Sequence, residues 1–587
     1  MLKIGILSIS ISLVLLALWN TRRFFNWIFR HIPFVKQREY SHRYLSNLLI
    51  GLGVFWLLIS FQHIPLLMDY EDANLDLAMQ LQEEIPAIDD RLPFLFLDID
   101  DRTHEKWGEP LFTPRHHIKE LIDAAVKGGA KLVIVDVDLT RQVSLEGLSQ
   151  EKLLLHPYDH ELYDFLKGYK TEYCQENKAC PPIILVRMVR SPLSSSSDDE
   201  EGEFFKEIWE KSHEPFSPIP IPILESLPSF LDAAVEQSAP YVQWASPLFW
   251  KSSYDGAIRR WWLWQAICTD NQTDIIPSVE LLAATMVLSD GPEAAKNSID
   301  KALSGFKPKH CTDSYNLPWK SSPKMLEIVQ GLTITDGVRG VRQRIMYRLP
   351  WRYPVKTRGT VRDTFNDEAG NEVLTIVPAK PYLGLSEGIK TQFAENRIVV
   401  IGGSYAQGGD MHATPLLEEM PGGLIIINAI HSLLQNEGEL KQLDDWIRWT
   451  IVFVLLIFFT WVFSFIHSVP RVIFVGLVFF LCAIVTSVWL LRWGIWLNFA
   501  LPLLIVEICE ITAKIDDWVY TNQQELDRVT DKYFKNVNAR LQKMLMTFPR
   551  VKLESQDLND RLTAIKLQPQ TNSQEKEELL KEVVVPK

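Results

Sequence analysis

Four aspartates follow two short apolar segments of this 587-residue sequence in the same pattern. Asp98 and Asp100 end the segment PFLFLDID, and Asp136 and Asp138 end KLVIVDVDL. The two residues of each pair are two positions apart, so their side chains point to one face of a strand end. Because open α/β sheets bind ligands at the carboxyl ends of their strands, we predict that these carboxylates contribute to a ligand site.

Four carboxylates at close range repel one another and need positive charge nearby. The sequence offers two sources, a bound cation or a basic side chain such as Arg115. The alternative is that the aspartates only cap turns and form structural ion pairs, since such networks resemble functional sites. No Cys/His spacing typical of a metal site occurs, so we predict neither a metal nor a cofactor.

A glycine-rich segment, GGSYAQGGD, follows a third apolar run and ends at Asp410. It is not a P-loop, because Lys-Ser/Thr is missing after the glycines. The glycines permit a tight turn, in which we expect Asp410 and Thr414 to bond the loop backbone. Contact with an anion or another ligand is the alternative. No Ser/His/Asp or Cys/His arrangement stands out, so we predict no catalytic residues and no enzyme activity.

The elements that position these residues alternate between strand and helix. After a predicted helix at 71–84, the strand PFLFLDID precedes the helical pattern PRHHIKELIDAAVKG and the strand KLVIVDVDL. This order is typical of a βαβ unit. Two more apolar strands are predicted at 183–188 and 397–403. The fold class is therefore an α/β domain with a mainly parallel sheet.

Four of the six cysteines lie between the N-terminal and C-terminal apolar blocks. Cys174 and Cys180 flank a short loop, and we predict a disulfide between them. Cys268 and Cys311 are then the second predicted pair. Four unpaired thiols, as in a reducing compartment, are the alternative.

Long apolar runs flank the domain, and the C-terminal block contains three of them in succession. A helix needs about 20 apolar residues to cross a bilayer, so we predict an α-helical transmembrane bundle. The basic residues of 21–44 place that segment in the cytoplasm by the positive-inside rule. A net charge of -13 argues against a nucleic-acid binder.

The topology divides the chain into six parts. These are a possible transmembrane helix (1–20), a basic cytoplasmic loop (21–44), a transmembrane helix (45–68), an extracytoplasmic domain (69–445), three transmembrane helices (446–513) and a cytoplasmic tail with an amphipathic helix (514–587). The corresponding localisation is a multi-pass protein of a bacterial inner membrane.

Four blocks of this sequence resemble the CHASE type 2 family of extracellular sensory domains. They are FLFLDIDDRTHEKWGEPLFTPRHHIKELIDAAVKGGAKLVIVDVDL, YDGAIRRWWLW, VRQRIMYRLP and RIVVIGGSYAQGGDMHATPLLEEMPGGLIIINAIHSLL. The likeness covers about residues 71–513, including the three successive spans that typically follow this family's outer domain. It implies a sensor ahead of a catalytic output domain.

Such an output domain is not recognisable in the tail, which has room for a helix or two. We therefore predict that the protein detects an unknown extracytoplasmic ligand and acts on a separate cytoplasmic signalling protein. An apolar stripe from Leu526 to Phe548 predicts pairing with a partner helix, and a homodimer is expected. The alternative function is a membrane-anchored scaffold or assembly subunit without ligand switching.

Overall fold

The structure is a computed structural model, and it describes the chain in separate ranges. The described residues are 65–81, 92–110, 112–141, 156–174, 180–190, 219–221, 223–252, 255–269, 272–311, 315–317, 325–335, 342–351, 363–416, 418–436, 438, 441–442, 445–465, 469–492 and 495–496, with positions 48, 52, 56, 528–529, 532, 535–536 and 539.

Twelve α-helices lie within these ranges. They are α1 (Pro65–Gln80), α2 (Asp101–Lys106), α3 (Arg115–Lys127), α4 (Pro157–Glu172), α5 (Asp232–Ser238), α6 (Val279–Leu288), α7 (Pro292–Leu303), α8 (Ala379–Leu383), α9 (Glu387–Ala394), α10 (Gly422–Gln435), α11 (Asp445–Phe465) and α12 (Val469–Arg492).

The described strands are mostly short. They are β1 (Phe94–Ile99), β2 (Leu132–Asp136), β3 (Ile183–Val186), β4 (Val189–Arg190), β5 (Ile219–Ile221), β6 (Leu224–Ser226), β7 (Val242–Ala245), β8 (Phe249–Lys251), β9 (Ile258–Trp262), β10 (Trp264–Thr269), β11 (Gln272–Pro277), β12 (Tyr315–Leu317), β13 (Met325–Val329), β14 (Leu332–Thr335), β15 (Arg342–Arg344), β16 (Asp363–Asn366), β17 (Glu372–Pro378), β18 (Ile398–Gly403), β19 (Met411–Ala413), β20 (Glu419–Pro421), β21 (Lys441–Gln442) and β22 (Ile495–Trp496).

A seven-stranded sheet forms the centre of the domain, in the order β16-β17-β1-β18-β2-β3-β7. Its strands pair in parallel except β16, which runs antiparallel to β17. The predicted mainly parallel sheet is thus confirmed. The sequence did not indicate that β18, from the C-terminal part of the domain, lies between β1 and β2.

Both faces of this sheet are buried, which explains why its strands read as continuous apolar runs. The Phe96 face, on which Phe96, Ile134 and Val400 lie, packs against α1, α6 and α10. The opposite Leu97 face, with Leu97 and Val135, packs against α3, α4, α5, α8 and α9.

Several predicted elements differ from the observed ones at their ends. The helix expected at 71–84 begins at Pro65, so α1 runs through the predicted boundary at residue 68. The helix after Pro114 begins and ends as predicted, and Gly129 follows it with a φ of 81°.

The third run of the predicted transmembrane bundle begins differently. Ile495 and Trp496 form β22, which pairs in parallel with Lys441 and Gln442 of β21. Hydrogen bonding to another strand holds these two residues extended, so the third predicted helix does not begin there. The remainder of that run, the predicted parts 1–20 and 21–44, and the tail stripe apart from Val529 lie outside the described residues.

Among the helices that the structure describes, none is long and apolar enough to cross a membrane. The transmembrane bundle therefore stays a prediction.

The chain divides into two compact units. One contains Gly51–Phe459 and Ile473–Val506, and the other contains Met1–Ile50, Thr460–Val472 and Glu507–Lys587. The contacts that form the site described below lie within the first unit.

Both predicted disulfides are present. Cys174 pairs with Cys180 at the end of α4, and Cys268 on β10 pairs with Cys311. The two bridges confirm the cysteine pairing expected from the sequence.

Candidate functional site

The carboxyl end of β18 lies at a point where the chain direction changes between neighbouring strands. The chain leaves β1 and β2 toward helices on the Leu97 face, but it leaves β18 toward α10 on the Phe96 face. In open parallel sheets such a divergence opens a crevice at the carboxyl ends of the strands, where ligands bind. The topology thus selects the β1-β18-β2 edge as the candidate site.

Asp98 and Asp136 occupy equivalent positions on the two sides of this edge. Gly402 of β18 is the register partner of Asp98 on β1 and of Asp136 on β2. Parallel neighbours are about 4.8 Å apart, so the two aspartate backbones are separated by about 10 Å. The sequence analysis placed both at this edge, and the sheet brings them into one row.

Asp98 is held in a nearly dry environment. Its side chain is 5% exposed, and Oδ2 accepts a hydrogen bond of 2.9 Å from the hydroxyl of Ser404. The other oxygen, Oδ1, is buried without a hydrogen-bond donor. Burial, followed by the charges of Asp100 and Asp101, raises the pKa of Asp98 to about 8.

Asp136 belongs to a second acidic group, which includes Glu280 on α6 and Asp410 after β18. Burial raises the pKa of Asp136, and the negative charges of Asp410 and Glu280 raise it further. Glu280 is fully buried, and burial raises its pKa to about 7. We call Asp136, Glu280 and Asp410 the acidic cluster.

The beginning of α10 lies directly against this cluster. A Cβ on Gly422 would lie 2.5 Å from Oδ1 of Asp410, and a Cβ on Gly423 would lie 3.5 Å from Oδ2 of Asp136. Only glycine at position 422 leaves room for the Asp410 carboxylate, whereas an added Cβ at Gly423 would come closest to the ring of Phe96, at 2.7 Å. Backbone amides at a helix N-terminus carry partial positive charge, which offsets part of the carboxylate repulsion.

Asp100 and Asp138 do not join the acidic cluster, contrary to the prediction that all four aspartates contribute to one site. Asp100 is the N-cap of α2, where Oδ1 accepts a hydrogen bond of 2.8 Å from the amide of Thr103. Oδ1 of Asp138 accepts from the amide and the hydroxyl of Thr140. These two residues therefore fit the alternative in which the aspartates only cap turns.

Arg115 contacts the backbone near the aspartates, and its charge interacts with that of Asp138. It is buried, and its Nη2 donates to the backbone carbonyls of Asp138 and Arg141, at 2.8 and 3.3 Å. Its Nε lies 3.9 Å from Oδ1 of Asp159 on α4. Arg115 therefore fixes the loop after β2, and its role in balancing the charge of the acidic edge stays a prediction.

In the loop after β18, Thr414 makes the expected side-chain contact with the backbone, whereas Asp410 contributes its backbone carbonyl. Thr414 donates its hydroxyl to the carbonyl of Glu418 at 2.9 Å, and the carbonyl of Asp410 accepts from the amide of Gly422. The side chain of Asp410 lies 3.1 Å from Nε2 of His412. Thr414 is therefore a turn residue, while Asp410 faces the start of α10.

The acidic group does not have the geometry of a metal centre. Within the described ranges, no group of three His, Cys, Asp or Glu residues could hold a metal ion. In the same described ranges, no lysine or arginine forms an ion pair with Asp98, Asp136 or Glu280.

A second arrangement joins the site to the helices at the two ends of the described domain. We call residues 344–349, which begin at the last residue of β15, the connecting segment. Its backbone amides at Arg348 and Leu349 donate to Oδ1 of Asn428 on α10, each at 3.0 Å. The amide of Met346 donates to the hydroxyl of Ser432 one turn later. One face of α10 thus holds this segment.

The connecting segment also reaches α12. Nη2 of Arg348 donates to the carbonyl of Leu491, near the end of α12, at 3.0 Å. The carbonyls at a helix C-terminus lack partners within the helix and attract cations. Burial lowers the pKa of Arg348 to about 10.

At its other end the segment pairs with α1. Arg344 forms ion pairs with Asp72 and Asp76, which lie one turn apart on α1. On β9, Arg259 pairs with Asp76 at 2.8 Å and Arg260 pairs with Asp72 at 2.7 Å. We call these five residues the α1 ion network.

The comparison with protein families identifies the domain. The CHASE2 domain model matches residues 50–466, which is more than half of the chain. The chain belongs to the CHASE2 family. No curated protein and no solved structure matches it.

The CHASE2 match differs in extent from the resemblance inferred from the motifs. It begins at residue 50 rather than 71, and it ends at 466 rather than 513. The CHASE2 region therefore includes α1 and all of α11, and it contains the acidic cluster, the connecting segment and the α1 ion network.

Two parts of the CHASE2 site were missed from the sequence. Glu280 is the single acidic residue in the apolar helix VELLAATMVL. A lone acid among apolar residues was the feature of the sequence that could have identified it. The arginines of YDGAIRRWWLW and VRQRIMYRLP lay within quoted motifs, but nothing in the sequence paired them with Asp72 and Asp76.

Proposed function

We propose that this CHASE2 protein is a membrane-bound receptor that detects an extracytoplasmic signal at the acidic edge. The signal is relayed to a separate cytoplasmic protein through the helices that flank the domain. CHASE2 is a sensory domain family, and this supports the general role. The proposal also includes the relay of the signal, the cytoplasmic partner, the membrane location and the absence of enzyme activity.

The observation that carries the relay is the position of α10. Its first turn contacts the acidic cluster through Gly422 and Gly423, and its middle holds the connecting segment through Asn428. A shift of α10 on ligand binding would therefore move the segment that joins α1 to α12. Helices within packed cores shift as units, since close packing transmits strain.

The surfaces of α11 and α12 support attachment to a bilayer. Large apolar side chains on both helices are more than one-third exposed, an unfavourable arrangement in water. They include Phe453, Val454, Phe458, Phe474, Leu477, Val478, Leu481, Val485 and Trp489. Lipid around these helices would cover this apolar surface.

The test is an affinity pull-down of the full-length protein from native membranes, beside a truncation ending near Lys514, with mass spectrometry of bound proteins. We expect a cytosolic signalling protein that is lost with the tail. Envelope proteins that bind equally well without the tail would instead favour the scaffold function.

A matched pair of variants tests whether the relay passes through the connecting segment. Asn428→Leu removes the side chain that binds the segment, and Asn297→Leu changes an exposed asparagine on α7. We expect only the first variant to alter recovery of the tail-dependent partner, provided that circular dichroism shows both to be folded. Unchanged recovery in folded Asn428→Leu protein would contradict this route.

A further inference from the structure

Glu280 is the most unusual charged residue of the domain. It is fully buried on α6, a helix whose other residues are apolar except Thr285. Both carboxylate oxygens are buried and lack a hydrogen bond of regular geometry, although the Ser278 hydroxyl and the amide of Glu280 itself lie near enough to lower the pKa of Glu280. An ionised carboxylate in such surroundings lacks the solvation that water would supply, so the neutral acid is favoured.

The negative charge of Glu280 has a further effect on its neighbour Asp136, whose pKa it raises. Asp136 interacts electrostatically with Glu280 and with Asp410. Oδ2 of Asp136 is likewise buried without a donor. Three carboxylates, two of which have unsatisfied oxygens, thus share one end of the sheet.

The chemistry of the cluster selects its ligand. A metal ion needs several ligands in a fixed geometry, which no acidic group of the described residues provides. A proton removes one negative charge at a single oxygen and needs no such geometry. The protonated oxygen also becomes a hydrogen-bond donor, from which a neighbouring carboxylate can accept a hydrogen bond.

We propose that the proton is a ligand of this domain, and that Glu280 and Asp136, beside Asp410, form its binding site. The raised pKa values of Glu280, about 7, and of Asp136 agree with proton uptake near neutral pH. That this uptake serves signalling rests on the proposed function.

The elements around α6 carry other charged or titratable groups. They are Asp136 at the end of β2, Arg187 after β3, Glu327 on β13, His431 on α10, Tyr347 in the connecting segment, and Glu293, Lys296, Asp300 and Lys301 on α7. Among these, the groups that interact electrostatically with Glu280 are Asp136 and Tyr347.

Tyr347 provides the route from the site to the α1 ion network. Its hydroxyl donates to the carbonyl of Ile258 on β9 at 2.7 Å. The Tyr347 hydroxyl also lies within electrostatic range of Glu280, and of Arg344 and Asp76 in the α1 ion network. Tyr347 therefore lies near both Glu280 and the network that holds α1.

The test is infrared difference spectroscopy of the full-length protein in lipid nanodiscs, titrated between about pH 5.5 and about pH 8.5. Protonated carboxylic acids have a carbonyl band that carboxylates lack. We expect this band to grow as the pH falls through about 7, and Glu280→Gln to remove part of it. Because that variant removes a negative neighbour, the remaining transition should move down by about one pH unit.

Glu293→Gln, an exposed acid at the start of the adjacent α7, is the matched control and should leave the titration unchanged. Equal titrations of wild-type and Glu280→Gln protein, with both folded by circular dichroism, would overturn the proposal. Asp136→Asn provides a second variant if Glu280→Gln does not fold, and it should also lower the band. Tail-dependent partner binding is measured separately, so loss of the relay and loss of the proton site give different results.

Discussion

Asp98 and Asp136 lie in one row on either side of Gly402, yet their surroundings differ. Asp98 accepts a hydrogen bond from Ser404, whereas Asp136 faces two further carboxylates, Glu280 and Asp410. Equivalent positions on neighbouring strands thus have different chemistry because the loop after β18 brings the Ser404 hydroxyl to Asp98 and the Asp410 carboxylate to Asp136. Five predictions follow from these contacts and from those of the elements around them.

Replacement of Asp98 should flatten the dependence of stability on pH. Its pKa is about 8 in the folded protein and ordinarily 3.8, so the folded state binds more protons between these values. The free energy of unfolding should therefore fall as the pH rises from about 4 to about 8, by up to about 5 kcal/mol. Asp98→Asn should remove this contribution to the pH dependence of the free energy of unfolding. Urea unfolding at a series of pH values measures it. An unchanged slope would show that Asp98 titrates normally.

Loss of one acid from the α1 ion network should destabilise the domain strongly. Asp76→Asn leaves Arg344 and Arg259 with one carboxylate fewer in a buried site. Breaking a buried ion pair costs about 3 to 5 kcal/mol. Denaturant unfolding measures the effect, and Asp274→Asn, which alters an exposed pair with Lys307, should change little. Similar losses in both variants would contradict a special role for the network.

A side chain at Gly422 should displace Asp410. The added Cβ would lie 2.5 Å from the Asp410 carboxylate, so Gly422→Ala should destabilise the domain by about 1 to 3 kcal/mol through overpacking. Gly388→Ala, on α9 with open space around it, should be neutral or slightly stabilising. Thermal unfolding of both variants checks this contrast, and equal melting temperatures would argue against close packing at Gly422.

The side chain of Asn428 should contribute more to stability than a surface asparagine. Asn428→Leu removes the acceptor of two buried amides and the donor to the Leu349 carbonyl. Buried backbone groups without partners cost about 1 to 3 kcal/mol each, so a loss of at least about 2 kcal/mol is expected. Asn297→Leu should stay within about 0.5 kcal/mol of wild type in the same denaturant experiment. A small effect at Asn428 would mean that water replaces its hydrogen bonds.

The two disulfides should contribute unequally. Cys268–Cys311 spans 43 residues and Cys174–Cys180 spans 6. Because a longer closed loop restricts the unfolded chain more, double replacement by serine should cost about 4 kcal/mol for the first and about 2 kcal/mol for the second. Calorimetric melting of the two double variants measures the difference, and the reverse order would contradict the loop-entropy account.

Local patterns predicted much of the fold. The strand ending at Asp98, the helix after Pro114 and the strand ending at Asp136 were each readable from apolar runs, turn residues and caps. They were readable because the residues that mark each element lie close together along the chain, although the strands themselves pair with distant segments. The contacts of Arg115 were not readable in this way, since its partners at Asp138, Arg141 and Asp159 lie 23 or more residues away.

The sequence by itself determined the CHASE2 class of the domain, its parallel strands, its two disulfides and the row of aspartates at one sheet edge. Only the tertiary structure decided that β18 lies between β1 and β2, because strand order depends on packing between segments distant in sequence. That insertion brings Asp410 and α10 to Asp136, and the packing of α6 on the same face adds Glu280. The acidic cluster is therefore a product of long-range packing, although each of its members is visible in the sequence.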